Sequence, residues 1–126
     1  GFTTVDLLQI DLFSGEGELY KLGAAPTYVK KGSSVQSLTG TSLPAGLADG
    51  DASALDHFTL RLSPGDCVLM VSDGICGTGD DAWLRDRLKE FDGVSPKDLA
   101  RDLITHSPQE ATDDRTALVV RIDKRT

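Results

Sequence analysis

The chain has 126 residues, with 13 basic and 20 acidic side chains and a formal net charge of −7. That length holds one domain with its own hydrophobic core, and 39% hydrophobic against 26% charged residues is the balance of a folded chain, not a disordered one. The acidic balance excludes a nucleic-acid binder that works through a basic stripe, and the longest apolar run, Cys67 to Val71, is far short of the roughly 20 residues of a membrane-spanning helix.

The first half reads as strands. Val5 to Phe13 is rich in β-formers and partly alternating, and Ser14 to Gly17 closes it as a turn into a second strand, Glu18 to Leu22. Gly23 to Pro26 breaks the run. A third strand is expected over Thr27 to Lys30 and a fourth over Val35 to Leu38, with Lys31-Gly32-Ser33 as the turn between them. These connections are too short for parallel crossovers, so the pairing is expected to be antiparallel. Residues Thr39 to Asp56 read as a loop whose one apolar anchor is Leu43-Pro44-Ala45-Gly46-Leu47.

Phe58 to Leu62 alternates and leads through Ser63-Pro64-Gly65-Asp66 into Cys67 to Val71, an uninterrupted apolar strand expected to be buried on both faces. Two helices follow. Asp80 or Asp81 caps the first, which places Trp83, Leu84, Leu88 and Phe91 near one face. The second opens with Ser95 as cap and Pro96 at its first position, carries a stripe of Leu99, Leu103 and Ile104, and ends at His106. Thr116 to Ile122 is a last apolar strand. Strands, two helices and a strand make the class α+β, with antiparallel sheets flanked by helices.

Two sites place acids beside buried strands. Ser72-Asp73-Gly74 ends the strand Cys67 to Val71, and Asp113-Asp114-Arg115-Thr116 begins the last one. If those strands are antiparallel neighbours, Asp73 and Asp113 share one end of the sheet. Paired carboxylates repel and lose hydration, which a hard divalent cation such as Mg²⁺ or Mn²⁺ compensates. The plain alternative is an Asp-Gly turn and a solvated strand edge. Competing motifs fail. Gly74 to Gly79 has the order GxxGxG with no lysine of the phosphate-loop type, and the loop from Asp49 lacks the glycine and glutamate of a calcium site. Cys67 and Cys76 lack C-x-x-C spacing, so neither a zinc nor a thioredoxin motif is present and free thiols are expected. His57 and His106 lack metal-ligand spacing, Trp83 reads as core, and Lys30-Lys31 as a solvated strand end.

Ser63-Pro64-Gly65-Asp66-Cys67-Val68-Leu69-Met70-Val71-Ser72-Asp73-Gly74 resembles the "PGD, apolar strand, SDG" segment of the metal-dependent serine/threonine protein phosphatases of the 2C type. Asp113-Asp114-Arg115-Thr116 resembles their closing "D-[DN]-x-T" motif. The opening Thr4 to Lys31 and the Leu43 to Leu47 loop are similar to the bacterial branch, nearest to the stage II sporulation protein E phosphatase domains. The resemblance implies an αββα sandwich of antiparallel sheets and helix layers, and a two-metal site for Mn²⁺ or Mg²⁺ in the complete domain. It implies hydrolysis of a phosphoserine or phosphothreonine by metal-activated water, with no side-chain nucleophile. Asp73 and Asp113 are then metal ligands, and Gly74, Asp114 and Arg115 line the site. The substrate class it implies is a bacterial regulatory phosphoprotein such as an anti-sigma-factor antagonist, in the cytoplasm, with no nucleic-acid or membrane partner for this segment.

One departure stands out. The family's earlier Asp-Gly metal motif is not found, since Asp49-Gly50 and Asp92-Gly93 fall in the wrong order. Residues 1–126 are therefore expected to form one domain equivalent to the C-terminal half to two-thirds of a 2C-type phosphatase domain, inactive alone. A strand edge without its partner would favour a dimer or domain swap. The alternative is a non-catalytic half-domain that serves as a protein-interaction module.

Overall fold

The computed structural model describes residues 4–22, 25–40, 55–76, 80–108 and 114–124. They form seven strands and three helices in two compact units, one drawn from residues 1–24 and 38–63 and the other from residues 25–37 and 64–126. Both sheets are antiparallel, so the class is α+β as the sequence implied. The four strands read over residues 5–38 are divided between the two sheets at the break expected over Gly23 to Pro26. Pro26, which has no N–H to give to a ladder, lies where the chain leaves one sheet for the other.

The first unit contains β1 (Val5–Ile10), β2 (Glu16–Leu22) and β5 (Asp56–Arg61) in the order β1-β2-β5. Their period-two alternation puts Leu8, Leu19 and Phe58 in register on one face. Lys21 is fully buried on that face, and its Nζ donates to both carboxylate oxygens of Asp6 at 2.7 and 2.8 Å. β1 ends at Ile10, not Phe13. The Asp11 carboxylate accepts from the Phe13 N–H at 2.9 Å and turns the chain there, which leaves Leu12 and Phe13 exposed. Gly15, with φ +78°, completes the turn and accepts from the Leu62 N–H.

The second unit contains β3 (Thr27–Lys31), β4 (Ser34–Leu38), β6 (Cys67–Val71) and β7 (Ala117–Arg121) in the order β4-β3-β6-β7. The helices are α1 (Asp73–Cys76), α2 (Ala82–Glu90) and α3 (Pro96–His106). β6 lies between β3 and β7, and four of its five residues are buried. Tyr28, Leu69, Ile75, Leu84, Leu88 and Leu103 form the centre of the core and are wholly shielded from solvent. The α3 boundaries follow the sequence: Ser95 Oγ accepts from the Asp98 N–H at 3.3 Å, Pro96 opens the helix, and Leu99 and Leu103 are its buried stripe. His106 Nδ1 lies 3.0 Å from the Asp102 carbonyl and 2.9 Å from its carboxylate.

Two local expectations are revised. Of the two expected caps, Asp81 holds the cap position of α2 but makes no side-chain cap bond, because its carboxylate is taken by Tyr28 and Arg85, and the Asp80 carboxylate accepts from the Ala82 N–H at 2.9 Å. Lys30 is buried, not solvated: its Nζ donates to the Lys89 carbonyl at 3.0 Å and to that of Phe91, supplying the donors that the end of α2 lacks. Residues 73–76 form a helical turn from which Ile75 enters the core fully buried. Trp83 packs against the core from a half-buried position, and neither cysteine is in a disulfide. Among the described residues, no helix is long and apolar enough to cross a membrane.

Candidate metal centre

The antiparallel register sets Val71 opposite Ala117, so the carboxyl end of β6 and the amino end of β7 meet at one end of the sheet. The pairing runs one residue past both strands, where the Ser72 N–H donates to the Thr116 carbonyl at 3.0 Å. The Ser72 side chain adds two more bonds. Its Oγ accepts from the Thr116 N–H at 2.9 Å, and its hydroxyl donates to the Asp114 carbonyl at 3.2 Å. Three hydrogen bonds from one residue thus join the two acidic motifs.

Asp73 follows directly as the first residue of α1. Its carboxylate is exposed and has no hydrogen-bond or ion-pair partner among the described residues. The turn that carries it is held on both sides, by Ser72 before it and by the buried Gly74 and Ile75 after it. Asp113 lies outside the described residues. Its neighbour Asp114 is exposed at the same sheet end, held there through its carbonyl. Arg115 points elsewhere: Nη1 donates to Ser107 Oγ at 3.0 Å and to the Ile104 carbonyl at 3.5 Å, at the carboxyl-terminal end of α3. A cation at the negative end of a helix is favourably placed. The structure therefore gathers Asp73, Gly74 and Asp114, and gives the Arg115 guanidinium to a helix end.

No group of three His, Cys, Asp or Glu side chains converges to hold a metal among the described residues. What is present fits one ligand of a hard cation. An unpartnered carboxylate on a fixed turn is the donor type that Mg²⁺ and Mn²⁺ prefer.

A second polar cluster lies behind α1. The buried Tyr28 hydroxyl donates to Asp81 Oδ2 at 2.8 Å and lies 3.9 Å from Cys76 Sγ. Arg85 donates through Nε to both Asp81 oxygens at 3.2 Å and through Nη2 to Ser37 Oγ at 2.7 Å. Burial, and then the bond to Asp81, push the Tyr28 hydroxyl well above the usual tyrosine range. The Tyr28 bond, followed by Arg85, holds the Asp81 carboxyl below its ordinary value. Neither this cluster nor the Ser72 bonds are apparent from the sequence. A serine closing one buried strand and a threonine opening another was the one signal available for the latter. The remaining histidine, His57, stacks on Tyr20 with ring centroids 4.5 Å apart.

The family model for stage II sporulation protein E (SpoIIE) matches residues 1–123. The chain is 29% identical over 135 residues to stage II sporulation protein E of Bacillus subtilis, covering 99% of this chain and 16% of that protein. For the Priestia megaterium counterpart the identity is 24%, over 99% of this chain and 23% of the relative. The chain thus spans less than a quarter of these curated relatives. Among solved structures, the phosphatase domain of the cell-fate determinant SpoIIE from Bacillus subtilis, presoaked with Mn, superposes with a TM-score of 0.76 at 30% identity, covering 98% of this chain and 58% of that one.

Proposed function

Given that the chain belongs to the stage II sporulation protein E family of PP2C-type phosphatase domains, we propose that it is the C-terminal metal-binding part of a protein serine/threonine phosphatase domain. The observation that supports this reading is the β6–β7 register, which sets Ser72, at the start of the Ser72-Asp73-Gly74 motif, against Thr116 and the Asp114 carbonyl. Asp73 and Asp113 are the proposed ligands of Mn²⁺ or Mg²⁺, and Gly74 and Asp114 line the site. When bound, a pair of such cations supplies a water of lowered pKa and neutralises charge on phosphoryl oxygens. The chain's own contribution is positional. The Ser72 bonds and the buried Ile75 fix the turn from which the Asp73 carboxylate projects, so that ligand needs little reordering on binding. Arg115, held at Ser107, is assigned no part in phosphate recognition. The proposed substrate is a phosphorylated bacterial regulatory protein of the anti-sigma-factor-antagonist kind.

Calorimetric titration of the chain with Mn²⁺, beside an Asp73→Asn, Asp113→Asn double variant, tests the reading. Binding by the native chain that is lost in the variant is expected. A folded native chain that takes up no Mn²⁺ would instead favour the interaction-module alternative. A longer chain that includes an upstream aspartate motif is expected to release phosphate from a phosphoserine protein in the presence of Mn²⁺.

A further inference from the structure

We propose that Ser72 is the positioning residue of the metal site, its side chain setting the separation between the two segments that carry the acids. The inference rests on the proposed function for its metal and on the observed hydrogen bonds for its geometry. Regular pairing between β6 and β7 ends at Val71 and Ala117. Beyond that point a strand end ordinarily frays, yet here the chain continues in register for one residue, through the Ser72 N–H and the Thr116 carbonyl. The next tie is not backbone to backbone. Ser72 Oγ takes the Thr116 N–H at 2.9 Å and gives its proton to the Asp114 carbonyl at 3.2 Å. A single hydroxyl acts as acceptor and donor at once and spans the chain on both sides of Arg115.

The positions matter as much as the bonds. Ser72 precedes Asp73 directly, and Asp114 follows Asp113 directly. The hydroxyl therefore joins the residue before Asp73 to the main chain of the residue after Asp113, while leaving the Asp73 carboxylate uninvolved. The side chain of Arg115 is fixed to Ser107 and so does not compete for this space. Alanine at position 72 keeps the backbone bond and loses both side-chain bonds; threonine keeps the hydroxyl. Residues that orient metal ligands without touching the metal typically change its affinity by about 10–100-fold.

The test uses ¹⁵N-labelled native chain, Ser72→Ala and Ser72→Thr. Amide hydrogen exchange is measured without metal, and the broadening of individual amide signals is then followed as Mn²⁺ is added. In Ser72→Ala the Thr116 amide is expected to exchange at least about tenfold faster, as a hydrogen bond worth roughly 1.4 kcal/mol is lost. Joint broadening around residues 73–76 and 114–116 is expected to need about 10–100-fold more Mn²⁺, and Ser72→Thr is expected to restore both readouts. An unchanged Thr116 amide in Ser72→Ala overturns the proposal. Faster exchange with unchanged Mn²⁺ broadening also overturns it, leaving Ser72 a purely structural residue. A native chain with no localised broadening overturns the metal reading itself and the role of Ser72 with it. That failure is told apart from the other two because it appears before any substitution is made.

Discussion

The phenolic hydroxyl of Tyr28 donates to Asp81 Oδ2 at 2.8 Å, tying the middle of a buried strand to the residue that precedes α2. The bond couples two shifted groups. Asp81 has a carboxyl pKa below its ordinary 3.8, through the Tyr28 bond first and Arg85 second. A folded-state pKa below the unfolded one gives stability that is fully present above the unfolded value and is lost as pH falls through the folded value. Acid unfolding followed by circular dichroism is expected to show native stability declining below about pH 3.8, with a shallower decline for Asp81→Asn. Parallel acid profiles for the two chains would contradict this assignment.

The same bond has an alkaline counterpart. The folded-state pKa of Tyr28 is raised above the ordinary tyrosine value of 10.0, chiefly by burial, so the neutral phenol is the stable form in the fold. Its contribution is fully present below pH 10 and is lost as pH rises beyond it. Tyr28→Phe is expected to be less stable at neutral pH by roughly 1.5–3 kcal/mol, the range for a hydrogen bond to a charged group, and to lose less stability between pH 10 and 11.5. Urea midpoints at neutral pH, pH 10 and pH 11.5 measure both effects.

Glycine is required at Gly15 for two reasons and at Gly32 for one. Both have positive φ, +78° and +61°. A Cβ at Gly15 would lie 2.2 Å from the Leu62 carbonyl oxygen, whereas one at Gly32 meets nothing within 4 Å. Gly32→Ala is expected to cost roughly 1–2 kcal/mol for its backbone alone. Gly15→Ala should cost more, since the rigid Leu62 backbone must also move. Equal urea midpoints for the two variants would show that the hairpin tip yields freely.

Within the second unit, Leu103 is fully buried in the cluster that also holds Ile75, the anchor of the Asp73 turn. Leu103→Ala is expected to destabilise the chain by about 2–5 kcal/mol. Ser95→Ala removes only the cap of the same helix and should cost about 0.5–2 kcal/mol. Thermal melts are expected to rank them in that order.

Much of the second unit was legible in the sequence because local signals and tertiary contacts agree there. Ser95, Pro96 and the Leu99–Leu103 spacing specify α3 residue by residue, and the unbroken apolar run of β6 announces a central strand. The sequence offered an antiparallel pairing of that strand with β7 as a condition for a shared sheet end, and the register supplies that pairing. The failures share a physical cause, namely that side chains were captured by distant partners. Lys30 reads as a surface charge until the carbonyl end of α2 lies over it. Asp81 reads as a helix cap until Tyr28 and Arg85 claim its carboxylate. The resemblance implied more than one antiparallel sheet, but which strand joins which sheet was not legible, because short connections specify antiparallel strands without specifying the pairs. Asp113 lies outside the described residues.

The strand order β4-β3-β6-β7 has a consequence for how the chain is made. β6 takes one neighbour from early in the sequence, with Thr27 opposite Met70, and the other from late in it, with Val68 opposite Val120. On the ribosome, β3 must wait for β6, and β6 stays open along one flank until β7 has left the exit tunnel. Such distant pairings are slow to form because long loops must close first. The Ser72–Thr116 junction belongs to that final pairing, so the proposed metal site is among the last features of the unit to assemble. A chain stalled before residue 117 would present β6 as an apolar, unpaired edge, the kind of surface that recruits chaperones or other strands.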